Sequence, residues 1–200
     1  MPVKRGRAIS LAPAIRLFHH RYSVPIVAVL YYDQGARFVT LLSRTGASRD
    51  TLSDTLGHLI AEGVVAKNPG YGHPMRPEYI LTPAGQELGP VCVKATEVIP
   101  ALGIVDVALK KWPMLVLVAM GRGGRRFGEL KELLLGISPR ALTGALRDLQ
   151  ASGLAERRIT ESWPPHTTYE LTPLALRALP VLEEVCVVAE QIEPRMTPRT

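Results

Sequence analysis

The stretch 136–171, GISPRALTGALRDLQASGLAERRITESWPPHTTYEL, holds the side chains best suited to recognising another molecule. Arg140 and Arg147 stand seven residues apart, about two helical turns on one face. A guanidinium is a planar fork of N–H donors that matches the edge of a guanine or a phosphate. Ser138 and Thr143 add hydroxyls suited to a base or a phosphate. Arg157, Arg158 and His166 follow on what reads as a two-stranded ribbon. Arg125 and Arg126 precede a helix opening at Phe127, whose N-terminus would add positive potential beside a phosphate. This is chemistry for a polyanion. The plainer reading of each arginine is a solvated surface charge.

The local pattern explains how these residues would be held. Ser138 reads as an N-cap and Pro139 as the first helical residue. Leu142, Ala145, Leu146 and Leu149 form an apolar stripe, leaving Arg140, Thr143, Gly144 and Arg147 opposite. Gly153 stands where a C-cap belongs. Residues 154–159 and 167–171 read as strands joined by a rigid turn at 163–165. A short helix with a basic outer face followed by a ribbon is the layout of a winged helix–turn–helix, and equally of a plain helix–hairpin core piece.

Upstream, the chain does the same thing once already. Helices are expected at 12–20, 24–32, 38–44 and 48–61, strands at 64–67 and 78–81, and a long helix after Thr82-Pro83. Ser48, Leu52, Leu56, Leu59, Gly63 and Val64 correspond at constant offset to Ser138, Leu142, Leu146, Leu149, Gly153 and Leu154. Pro74, Tyr79, Leu81, Thr82, Pro83 and Pro90 correspond at that offset to Pro164, Tyr169, Leu171, Thr172, Pro173 and Pro180. A repeat this regular makes two copies of one module. The reading divides the chain into a basic tail (1–10), a degenerate first copy (11–99), a second copy (100–193) and a tail (194–200), with the boundary near Pro100. The first copy's equivalent helix exposes Arg49, Asp50, Ser53, Asp54 and His58 after the cap Ser48, and Arg37, Lys67 and Arg76 are left for phosphate contact. Carboxylates there would be repelled by phosphates, although an acid can accept from cytosine.

Composition sets the outer limits. The 200 residues carry 24 Lys and Arg against 18 Asp and Glu, a net charge of +6, which suits a polyanionic partner. No apolar run approaches the roughly 20 residues of a membrane span, and no signal-peptide pattern follows the basic start, so a cytoplasmic protein is expected. Cys92 and Cys186 sit in apolar helical patterns, as buried free thiols would. His19-His20 lacks partners at metal-ligand spacing. GRGGRR at 121–126 lacks the phosphate-loop pattern and follows an apolar helix. No nucleophile–base pair or catalytic carboxylate pair stands out. The reading is therefore a non-enzyme with no metal and no cofactor. Trp112 and Trp163 read as core and wing-packing residues, or as the lining of a small-molecule crevice between the copies.

The motifs K-K-W, R-F-G-E-L, I-S-P-R-A-L, the L-R-D-L-Q-A-S-G-L helix end and P-P-H-T-T-Y-E-L-T occur in that order across residues 101–192. In this combination the chain resembles the HxlR-type winged-helix transcription regulators, relatives of the MarR group. The first copy is similar but degenerate, with Tyr22-Ser23 near the place of Lys111-Trp112. The resemblance implies a mainly α fold with small β-wings, double-stranded DNA as partner, and regulation of transcription. That family usually has one such domain per chain and works as a homodimer. A tandem pair suggests a covalent pseudo-dimer, with recognition helices entering successive major grooves about 34 Å apart. Two alternatives stand beside it: a small-molecule-binding protein, such as a drug-sequestering resistance protein, and a protein–protein adaptor. A small hydrophobic ligand and a further homodimer are the other partners considered.

Overall fold

The computed structural model of the chain describes residues 11–70, 76–161, 163 and 165–196. The basic segment 1–10, the residues 197–200 and the Pro74–Pro164 correspondence lie outside them. The first unit runs α1 (Ala12–Leu17), α2 (Ser23–Tyr32), α3 (Phe38–Thr45), α4 (Arg49–Ala61), β1 (Val65–Lys67), β2 (Tyr79–Leu81) and α5 (Pro83–Ala101). The second repeats it as α6 (Val105–Ala108), α7 (Lys111–Gly121), α8 (Phe127–Leu133), α9 (Pro139–Ala151), β3 (Ala155–Thr160), β4 (His166–Leu171) and α10 (Pro173–Ile192), closed by a short 3-10 turn at Glu193–Arg195. The fold is mainly helical with two antiparallel hairpins, in register Val65↔Leu81 and Ala155↔Leu171.

The same local chemistry starts and stops the matching elements. Ser48 Oγ accepts from the Thr51 N–H (3.3 Å), and Ser138 Oγ from the Ala141 N–H (3.2 Å). Gly63 and Gly153 end the following helices at φ of 75° and 66°, a left-handed conformation that favours glycine. Thr82 and Thr172 then do two jobs. Each hydroxyl caps its own helix and donates back to that glycine's carbonyl, at 2.6 Å and 2.7 Å. The start of each long helix is thereby tied to the end of the helix before the wing. Along 48–61 and 138–151 the order of buried, half-buried and exposed positions is identical.

The long helices α5 and α10 pack against each other, the first unit's α1 lies on α10 of the second, and α6 sits between α5 and α7. Ion pairs Lys94–Glu184 (2.5 Å), Arg21–Asp106 (2.9 Å) and Arg195–Glu87 join the two units. Arg16 reaches the buried Glu62 at 2.7 Å, holding α1 to the end of α4. Cys92 and Cys186 are free and buried; burial pushes both thiols up, Cys186 to about 12. Thiols held protonated are poor nucleophiles.

Some boundaries differ from the sequence reading. α1 ends at Leu17, before His19-His20. α5 continues through Pro100 to Ala101, so the turn between the units follows at 102–104. Residues 194–196, read as tail, are held by the 3-10 turn and by the buried Met196.

The two units also make their close helix approaches at different residues. In the first, Gly89 of α5 lies under the Tyr31 ring of α2, where an added Cβ would stand 2.0 Å from a ring carbon. In the second, the equivalent positions hold Met120 and Leu179, and the close approach falls one residue on, where Gly121 of α7 lies against Leu179 of α10. Gly89→Ala is expected to destabilise the protein by about 1–3 kcal/mol, a fall of roughly 3–10 °C in Tm by calorimetry, with part of the loss recovered by Tyr31→Met, the residue at the equivalent Met120.

Candidate nucleic-acid interface

One face of α9 is basic and exposed. Leu142, Ala145, Leu146 and Leu149 are buried, and the opposite positions Arg140, Thr143, Gly144 and Arg147 are exposed. Neither Arg140 nor Arg147 has a carboxylate partner among the ion pairs of the described residues. Ser138 Oγ is occupied as the cap acceptor, and Thr143 Oγ1 donates to the Pro139 carbonyl at 2.9 Å. The hydroxyl proton of Ser138 and the lone pairs of Thr143 are what these residues have left to offer a ligand. Asp148, on the same helix, is half-buried and pairs with Lys110 at 2.9 Å.

Arg125 and Arg126 are exposed at the start of α8. Glu129 Oε2 accepts from both of their backbone N–H groups, at 2.8 Å and 3.0 Å. Those two bonds hold the Glu129 carboxyl below the usual carboxylate range, the adjacent guanidinium charges adding to the effect. Tyr169 donates its N–H to the Arg125 carbonyl (2.8 Å), so the wing is stitched to the start of α8. In the first unit Ala36 and Tyr79 make the corresponding bridge, and the Glu78 carboxylate accepts from the Phe38 N–H at 3.3 Å.

The wing separates its two arginines. Arg158 lies between Glu156 (3.3 Å) and Glu170 (3.0 Å), so much of its charge is answered within the ribbon. Arg157 is on the other face with Tyr169, donating to Thr167 Oγ1 at 3.4 Å. His166, opposite Thr160 at the far end of the hairpin, is half-buried. Trp163 at the wing tip is 95% exposed and Ile159 beside it 62%. Trp163 therefore neither packs a core nor lines a crevice, because the hairpin projects it beyond every layer that could cover it. Trp112 is half-buried at the start of α7, with the Lys111 ammonium 4.7 Å from its ring centre. The two tryptophans share no crevice.

In the first unit the candidates surround α4. Ser48 Oγ caps the helix and contacts Thr51 Oγ1 (2.8 Å); Arg49 and Ser53 are exposed beside Asp50 and Asp54. Arg37 is exposed at the N-cap of α3, and Arg76 is exposed past the loop, its guanidinium lying over Gly70. His58 departs from the exposed placement read in the sequence. It is half-buried, its Nε2 2.7 Å from the Arg16 carbonyl, and it clusters with His19 and His20 at ring distances of 5.9 Å and 5.0 Å. Burial first, then the charges of His58 and Lys111, lowers the pKa of His20. No group of residues suited to a metal ion occurs among the described residues, and none of their helices is long and apolar enough to cross a membrane.

Helix electrostatics distinguish the two helices. The N-terminus of a helix favours acids and disfavours bases. α4 has Asp50 in its first turn and α9 has no acid there but Arg140. Stability alone does not place an arginine at that position.

A family model described as HxlR-like helix-turn-helix matches residues 17–101 and again 107–196. The chain belongs to this family, in two tandem copies. Curated relatives include an HTH-type transcriptional regulator sll1512 of Synechocystis, 35% identical over 46% of this chain and 67% of its own length. The regulator YtfH of Escherichia coli is 33% identical over 47% of this chain and 72% of its own, and YkvN of Bacillus subtilis 38% identical over 38% and 64%. A solved structure described as a MarR-family transcriptional regulator from Enterococcus faecalis is 30% identical, covering 51% of this chain and 90% of its own at a TM-score of 0.40. These are regulators, not enzymes, and each curated match spans less than half of this chain.

Arg140→Glu is expected to raise Tm by roughly 1–3 °C, because the charge at the N-terminus of α9 is then of the favoured sign; a calorimetric fall would show that Arg140 is kept for stability.

Proposed function

We propose that this HxlR-like chain is a sequence-specific DNA-binding transcriptional regulator that reads bases with α9. The observation that carries this reading is the exposed face of α9, where Arg140 and Arg147 stand without carboxylate partners and Arg140 opposes the helix dipole. Seated in a major groove, either guanidinium can pair bidentately with guanine, worth about 1–3 kcal/mol of discrimination. Thr143 faces the same groove, and Ser138 lies at its edge. Arg125, Arg126 and Arg157 flank that helix at places suited to phosphate oxygens, which set register without reading sequence. Arg158 contributes less, its charge being shared with Glu156 and Glu170. In a titration of labelled DNA selected by the protein, Arg140→Ala or Arg147→Ala is expected to cut discrimination between selected and unrelated DNA by about 5- to 150-fold, while Arg126→Ala weakens both DNAs equally and flattens the salt dependence by about one phosphate contact. No preference for any sequence at low salt would overturn the reading.

A second observation favours control by a small ligand. A crevice of about 480 Å³ opens between α2 and α5 of the first unit and α6 of the second. Tyr22 at the cap of α2, with Val29 and Tyr32 on it, lines the space with Thr96 and Ile99 of α5 and with Arg44, which is held to Asp33 at 2.5 Å. Neither tryptophan takes part. The lining suits an uncharged aromatic molecule, and α6 of the second unit forms one wall, so occupancy would bear on how the units sit together. With 1-naphthol at about 100 times its Kd, Tm is expected to rise by roughly 5–10 °C, and Val29→Trp, which fills the space, should abolish the rise. A shift that persists in Val29→Trp would place the ligand elsewhere, and strong binding without any effect on DNA affinity would favour a sequestering protein over a ligand-responsive regulator.

A further inference from the structure

We infer that the DNA target is asymmetric: α9 reads one half-site base by base, while the first unit grips the phosphates of the other half without reading it. This rests on the DNA-binding reading above and goes beyond it.

The two candidate helices are set in equivalent frames. Their caps are both serines, their buried stripes are Leu52, Leu56 and Leu59 against Leu142, Leu146 and Leu149, and exposure runs in the same order along both. Whatever differs between their outer faces is therefore side-chain chemistry and not placement. At the equivalent exposed positions Arg140 is replaced by Asp50, Gly144 by Asp54, and Arg147 by Gly57. The face of α9 has two arginines and no acid; that of α4 has Arg49 against two aspartates.

Every groove position is lined by phosphates. Two carboxylates brought there are repelled, and loss of two arginines removes the counterion release that drives association. A carboxylate accepting from a cytosine amine is the one base contact left, and it must be made against that repulsion. Apart from Arg49, which stands beside Asp50 on α4, three exposed cations of the first unit lie off that helix face. Arg37 is at the start of α3, Lys67 on β1 and Arg76 past the loop, all exposed. They are placed as a rim that holds backbone. A homodimer cannot make this division, since one gene writes both of its helices; a tandem chain can.

The test is selection from random-sequence DNA with the full chain, followed by hydroxyl-radical footprinting on the selected sites. The expected result is one conserved half-site of a few base pairs, and protection that extends over about a further helical turn of unconserved sequence. Asp50→Arg with Gly57→Arg, its folding checked by circular dichroism and Tm, should then prefer an inverted repeat of the selected half-site by tenfold or more over the single half-site. Asp50→Asn with Asp54→Asn keeps side-chain shape and should tighten binding to all DNA without adding preference. Two equally conserved halves would overturn the inference while leaving the DNA-binding reading intact. Protection confined to the conserved half would overturn the grip assigned to the first unit. Failure to retain any DNA at low salt would overturn the DNA-binding reading, and the inference with it.

Discussion

The packing of α5 on α10 is the constraint from which the rest of the molecule follows. Each helix is the last element of its unit, and each is tied by a threonine to the turn that ends the preceding helix. The orientation of α4 and α9 is thus inherited from how the two long helices lie. Val91, Cys92 and Ala95 on one and Val181, Leu182, Val185 and Ala189 on the other are buried. The docking of α1 on α10 and α7 extends the same interface. Because the partners share a chain, the effective concentration of one unit for the other is fixed by the connection and does not depend on protein concentration.

Covalent linkage also changes what mutation can do. In a symmetric dimer a substitution appears at both copies, so a residue that suits one half-site is imposed on the other. Here Tyr31 lies over Gly89 in the first unit, where the second has Met120 and Leu179 at the equivalent positions, so this contact is filled differently in the two. Packing complementarity demands that the space be filled, not which pair of residues fills it. The outer faces meet no such demand, and they differ more. Asp50 accords with the helix dipole, whereas Arg140 opposes it. The second unit carries an electrostatic disadvantage at this position that the first does not.

Much of the architecture could be read from the chain because its causes are short-range. The caps Ser48, Ser138, Thr82 and Thr172 bond to backbone three residues on. The leucine stripes follow from helical period, and the left-handed glycines mark the ends. The repeat then did what no single window could: it identified two copies of one unit. Long-range partners left no comparable signal. Arg158 reads as a groove-binding cation until the β3–β4 register puts Glu170 beside it. His58 reads as exposed until α1 brings the Arg16 carbonyl to it.

The sequence by itself determined the winged-helix units, their duplication, and the difference in charge between Asp50 and Arg140, since all three are written in residue type and spacing. The tertiary structure alone decided that α5 and α10 pair, that α1 docks on α10, that Trp163 stands 95% exposed at a hairpin tip, and that the crevice opens between α2, α5 and α6 without either tryptophan. The reason is geometric. Periodicity states which face of an element is apolar, but the surface that meets that face is contributed by residues far away in the chain, and only their arrangement in space says which contacts are made.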